Sequence, residues 1–298
     1  MKSSFLISAI LSSVIAVVTP AKADNLFNFS TGNPTNAMAS ASRPDVGGSF
    51  EIESADDFVT TGIQTSINSA SFTGLLVPGS GATPAVSQVT VEIYRVFPAD
   101  SNTVRAPNVP TRTNSPSDVA LDSRDSAGGT LNFTTLTLAA TFTALNSVQP
   151  GGIHPSPLQT TGGNGSLTGQ EVQFNVTFQT PFNLSADHYF FVPQVALTNG
   201  GQFYWLSAAR PIVPPGTPFP AGVTDLQSWT RDEMLDPDWL RIGMDIVGGA
   251  TPPAFNAAFS LDGAVVTPLP AALPLFASGL GALGLLGWRK KKAAVPAA

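Results

Sequence analysis

Cysteine is absent from the chain, which excludes disulfides, thiolate metal sites and thiol nucleophiles. Lysine is missing from the whole interior, since Lys2, Lys22, Lys290, Lys291 and Lys292 are the only five. Histidine occurs only as His154, in a turn-like Gly-Ile-His-Pro context, and His188, in Asp-His-Tyr. Neither has a catalytic or metal motif around it. No nucleophile elbow, zinc-type His-Glu-x-x-His or phosphate-cradling glycine motif is present. Positive charge is scarce: residues 24–267 carry eight arginines against twenty carboxylates, a net charge of −12. Such a surface opposes nucleic acid and anionic lipid and suits divalent cations or neutral partners.

What the chain does have begins at its ends. Lys2 precedes an apolar stretch at residues 5–18, followed by Ala21-Lys22-Ala23. These are the charged region, apolar region and small-x-small cleavage site of a secretory signal peptide, with Ala21 and Ala23 as the cleavage signature. The apolar stretch is too short for a bilayer, which needs roughly twenty residues. Residues 1–23 are therefore expected to be removed. At the other end, Pro268-Leu269-Pro270-Ala271 opens an apolar run to Trp288, and Arg289, Lys290, Lys291 and Lys292 follow. As a helix, residues 269–288 would reach about 30 Å, one hydrocarbon core. The basic stop would stay on the cytoplasmic side. Hydropathy alone fits an ordinary single-pass anchor equally well.

The order of those parts resembles the Val-Pro-Leu-Pro-Ala subtype of the PEP-CTERM sorting signal. Leu269 stands where the main motif has Glu, and Thr267 separates Val266 from Pro268. The resemblance implies a Gram-negative bacterium and processing by an exosortase-type enzyme. It also implies an inner-membrane intermediate and delivery to the cell surface or extracellular polysaccharide. It covers residues 268–292 and is silent on the body.

The body, residues 24–267, is long enough for one large domain. Its clearest segment is 170–179, where Val172, Phe174, Val176 and Phe178 alternate with Gln173, Asn175, Thr177 and Gln179. Period two is the signature of a strand with one face buried. Residues 87–97, 240–246 and 255–261 repeat the pattern, and 49–53, 67–77, 130–139, 188–196 and 202–208 are further candidates. About nine strands, with no amphipathic helix, predict an all-β fold: an antiparallel β-sandwich of jelly-roll type. Three long connections, 98–129, 150–169 and 211–238, are expected to supply a recognition surface if they gather at one end.

Two constellations carry candidate chemistry. Glu51, Glu53, Asp56 and Asp57 cluster near a strand end, and Asp232, Glu233, Asp236 and Asp238 cluster in a loop. Calcium takes six to eight oxygens and flexible geometry, which such clusters can supply. The competing explanation is a solvated acidic turn. Trp229 and Trp239, beside the third connection, are candidates for stacking on sugar rings, against the alternative that they cap the core as large aromatics do. The expected function is a structural, adhesive or carbohydrate-binding component of extracellular polysaccharide, without catalysis. The alternative is a secreted polysaccharide-active enzyme, which needs two facing carboxylates in a cleft.

Overall fold

The computed structural model describes residues 25–79, 84–104, 112–154, 160–208 and 224–266, with helical residues at 280–281, 283–284 and 288. The signal peptide with Ala21 and Ala23, the motif at 268–271 and the basic stop at 289–292 lie outside the described residues. Among the described residues no helix is long and apolar enough to cross a membrane.

The alternating segments become strands, and further strands lie between them. In chain order these are β1 (Asn25–Ser30), β2 (Pro34–Ala41), β3 (Ile52–Val59), β4 (Gln64–Val77) and β5 (Val86–Arg95). Next come β6 (Asp122–Asp125), β7 (Leu131–Ala144), β8 (Ser147–Val148), β9 (Leu167–Leu184) and β10 (His188–Leu197). The last are β11 (Gln202–Ala208), β12 (Trp229–Asp232), β13 (Leu240–Arg241) and β14 (Phe259–Val266). All pairings are antiparallel except the short β2–β8 contact.

Two layers result. One is built on β4, which pairs with β9 on one side and with β14 and β11 on the other. Strand β7 lies outside β9, and β1 lies outside β14. The second is built on β10, between β5 and β3, with β6 outside β5 and β12–β13 outside β3. The turn between β10 and β11 joins the layers at Ala196 and Gln202. The fold is all-β and sandwich-like.

Period two explains the filling. Phe72 and Phe174, opposite each other on β4 and β9, stack with ring centroids 4.8 Å apart. From the second layer, Phe191 reaches across to stack on Phe259 of β14 at 5.1 Å. Gly74 of β4 is required by this packing, because a Cβ there would lie 2.3 Å from the Phe203 ring. On β11, Phe203 and Trp205 enter this core, whereas Tyr204 and Leu206 alternate into a second cluster behind it with Met38, Leu240 and Ile246. A third cluster covers the outer face of the second layer and contains Ala55, Phe190, Val192, Trp229 and Trp239.

One expected strand is different. Residues 240–246 alternate, yet only Leu240 and Arg241 pair as β13, and Ile242–Val247 form a π-helical turn. The Asp245 carboxylate accepts the Arg241 N–H (2.7 Å), and the Gly248 N–H donates to the Gly243 carbonyl five residues back (2.9 Å). That turn still buries Leu240, Ile242 and Ile246 together, so apolar spacing alone did not distinguish it from a strand.

Candidate functional site

The outer face of the second layer is not a solvent face. On β5, Val89, Val91 and Ile93 point to the main core, so Thr90, Glu92 and Tyr94 point outward. On β3 the same alternation sets Glu53 beside Ala55 on the outer side, opposite Arg231 and Trp229 of β12. Residues 112–121 and 224–239 then cover this face. The Trp239 indole N–H donates to the Ser117 carbonyl (3.0 Å), and the Arg231 guanidinium donates to the Asp118 carbonyl (3.1 Å). The first and third long connections therefore meet here. The described part of the second packs beside them: Ile153 joins Leu235 in one apolar cluster, His154 acts electrostatically on Asp232, and the Thr161 N–H donates to the Ile246 carbonyl (2.8 Å).

Between cover and sheet lies a cavity of about 430 Å³, lined by eight carboxylates and one arginine. Glu51, Glu53 and Glu92 each bring an oxygen within 4.8 Å of the others. Asp232, Glu233 and Asp236 line the same cavity, as do Asp45 and Asp118. Glu51 and Glu53 of one acidic cluster and Asp232, Glu233 and Asp236 of the other, far apart in sequence, thus share one space.

Glu53 is the most occupied of the three. Its Oε2 is bound by the Arg231 guanidinium, and its Oε1 accepts the Tyr94 hydroxyl at 2.6 Å. Tyr94 Oη also lies 3.0 Å from Glu92 Oε2. Glu51 accepts a hydrogen bond from the buried Gln194 amide (2.8 Å). The other amide atom of Gln194, Oε1, has no partner among the described residues.

The electrostatics follow from burial and crowding. Desolvation, with the Glu53 and Glu51 charges adding to it, pushes Glu92 up to about 8. Burial and Glu53 also raise Glu51. Tyr94 is raised by burial and by Glu53, so its hydroxyl stays protonated and donates. Burial works against the Arg231 charge, but Glu53 and its neighbours hold the guanidinium protonated, above its ordinary range. The site lowers its own excess of negative charge by keeping a proton on Glu92 at neutral pH.

A hard divalent cation would do the same more completely. Calcium–oxygen distances of 2.3–2.6 Å place two ligands of one ion at most about 5 Å apart, and the three carboxylates meet that limit. The donors are all oxygen, which suits calcium or magnesium and not the nitrogen and sulfur preferences of zinc.

Of the residues expected as metal ligands, Glu51 and Glu53 face the cavity and Asp56 and Asp57 do not. Asp56 Oδ2 accepts the Ala257 N–H (2.9 Å). Asp57 pairs with His188 Nε2 (2.6 Å) and accepts the Gln227 N–H (3.2 Å). Both aspartates are wholly buried. Asp56 points to the opposite face from Glu53, and Asp57, on the same face, lies four residues further along the strand, about 13 Å away, too far to share an ion with Glu53. The third partner is Glu92, in a segment that reads as an ordinary half-exposed strand. Its signal is Tyr94 two residues on, an aromatic on the nominally wet face.

Trp229 and Trp239, expected to stack on sugars, are 0% and 1% exposed. Trp229 donates to the Leu226 carbonyl (2.9 Å) and lies under Arg241, while Trp239 lies under Arg231 with the guanidinium carbon 4.4 Å from the ring centre. Neither ring offers a face to a ligand. Their size made them the closure of the third cluster.

No family model matches the chain, and neither the curated proteins nor the solved structures contain a match to it.

Proposed function

We propose that this is an exported surface protein whose body holds a divalent cation, calcium being the expected species, in a structural or adhesive role within extracellular polysaccharide. The observation that carries the cation is the convergence of Glu51, Glu53 and Glu92 within 4.8 Å in a cavity dominated by carboxylates. The buried Gln194 amide supports it by donating to Glu51 and holding that carboxylate in place. Because Arg231 and Tyr94 already engage Glu53, the affinity expected is that of extracellular calcium modules, about 10⁻⁴–10⁻³ M. The surface location rests on residues 1–23 and on the likeness of 268–292 to the sorting signal, with an exosortase-type enzyme as processing partner.

Thermal unfolding in calcium, magnesium and chelator tests the site. Calcium should stabilise by mass action, by about 2.7 kcal/mol at a hundred times its dissociation constant. Magnesium, which demands tighter octahedral geometry, should do less. Glu92→Gln should abolish the calcium response while the protein stays folded. An unmutated protein that melts identically in millimolar calcium and in chelator ends this reading.

A second reading has one observation in its favour. Glu92, protonated near neutrality, lies next to the Arg231-paired Glu53, an acid beside a carboxylate as a glycoside hydrolase requires. Against it, the Tyr94 hydroxyl is bonded to both carboxyls and occupies the space a sugar carbon would need. Release of reducing sugar from polysaccharides, lost in Glu92→Gln, would favour the enzyme.

A further inference from the structure

Strand β7 stands apart from the rest of the surface. Among the described residues it is an edge strand, paired only with β9, and it runs for fourteen residues. From Leu131 to Thr137 its ladder with β9 is regular, and the first irregularity falls between Thr137 and Ala139. Asn132 and residues 134–138 are exposed, Leu136 at 53% and Leu138 at 46%. An exposed strand edge presents unpaired backbone N–H and carbonyl groups, and folded proteins blunt such edges with charge, proline or brevity. Among the described residues the other outermost strands are shorter. Strand β6 is four residues long and carries Asp122, Arg124 and Asp125. β8 and β13 are two residues each, and β1 is six. Among the described residues only β7 is a long outermost strand, and it holds neither a charge nor a proline.

Charge says what the edge fits. Between Asp125 and Glu171 the chain contains no Asp, Glu, Lys or Arg, in a body whose net charge is −12. Two copies meeting through the acidic surfaces bring acid against acid, whereas through β7 they bring none. We infer that β7 is a self-association edge, and that two copies of this chain pair antiparallel along it about a two-fold axis. An antiparallel strand is its own complement under such an axis, so the contact closes as a dimer. Opposed residues share a face, so Leu136 meets Leu136 or Thr134 of the second copy, and Phe133, Thr135 and Thr137 meet one another on the other face. Threonine, leucine and phenylalanine pairs of this kind stabilise sheets. The regular stretch spans about 24 Å, too small for the 1,200–2,000 Å² typical of tight complexes. The dimer is therefore weak in dilute solution and forms where copies are concentrated, as on a surface.

The missing cysteines make the test direct, because any disulfide in a single-cysteine variant must join two copies. Full-length chain in mild detergent would carry Thr134→Cys, Thr135→Cys or Leu136→Cys, with Ser123→Cys on the guarded β6 edge as control. Under mild oxidation a β7 position should form covalent dimer well before Ser123→Cys does, since a disulfide needs Cβ atoms about 3.8 Å apart. Sedimentation of the cysteine-free chain should show mass rising with concentration. Leu136→Lys should weaken the dimer about tenfold through like charges across the axis, without changing the melting temperature. A monomer at every concentration overturns the inference. So does dimer that links no faster through β7 than through Ser123, or that is indifferent to Leu136→Lys.

Discussion

Arg231 and Glu53 face each other across the β12–β3 ladder, joined side chain to side chain and both nearly excluded from water. The guanidinium also bonds Asp236 (3.0 Å) and the carbonyl of Asp118, and lies over the Trp239 ring. One arginine thus ties the sheet to both covering segments and neutralises the most buried carboxylate of the cavity. The cover and the carboxylate cavity are the same construction.

Removing that arginine should be costly. Arg231→Met leaves Glu53 buried without its counter-charge, and breaking one partner of a buried pair costs about 3–5 kcal/mol. Urea unfolding should show that loss. Adding Glu53→Gln should recover most of it, because the stranded charge is then gone. A single variant as stable as the unmutated protein would mean that solvent reaches Glu53.

The raised carboxylates give stability a definite slope with pH. Glu92 keeps its proton in the folded state up to about 8 but releases it near 4.5 when unfolded. Between those values the unfolded chain binds fewer protons than the folded one, so stability must fall as pH rises. Below the window both states are protonated and nothing is lost. Glu51, Asp232 and Asp245, also raised by burial, act with the same sign. Melting temperatures should decline from pH 5 to pH 8, less steeply in Glu92→Gln, which should be the more stable protein at pH 8. Calcium should restore part of the loss at the alkaline end. A melting temperature that rises across this range would contradict the burial of Glu92.

The tryptophans separate packing from recognition. Trp239→Ala should destabilise by about 3–5 kcal/mol, as large-to-small changes in a closed core do. Trp239→Phe should be milder and leave any polysaccharide affinity unchanged. A Phe variant with native stability and lost affinity would restore the ring as a ligand contact.

These positions also show where the amino-acid pattern was readable. Strand β9 could be read because one face is dry and the other wet, and the same holds for β5 in part. Strand β3 is buried on both faces, with Glu53, Asp56 and Asp57 inside, so its hydrophobic alternation is absent and only its beginning stood out. β12 is four buried residues, Trp-Thr-Arg-Asp, whose polarity reads as loop. Covering segments remove the contrast on which the period depends. For the same reason the acidic character of the site was visible while its membership was not. Glu51 and Glu53 were legible as neighbours, but Glu92 joins them only through the pairing of β10 with both β5 and β3.

The tail that resembles a sorting signal makes the last prediction, and it is independent of the cavity. A processing peptidase must meet its motif at the outer face while the apolar segment and the basic stop hold the chain in the membrane. Replacing Pro268-Leu269-Pro270 with alanines keeps the apolar length, so insertion should persist while cleavage stops. The variant should accumulate at full length, apart from the signal peptide, in the inner membrane. Deleting residues 289–292 should instead let the chain slip or misorient, because those charges oppose translocation. An ordinary anchor gives the contrary result, since the alanine variant would match the unmutated protein in mass and location. Intact mass of the surface-exposed protein distinguishes the two. If the mature unmutated protein still carries Trp288 and the three lysines after it, processing is excluded and anchoring alone remains.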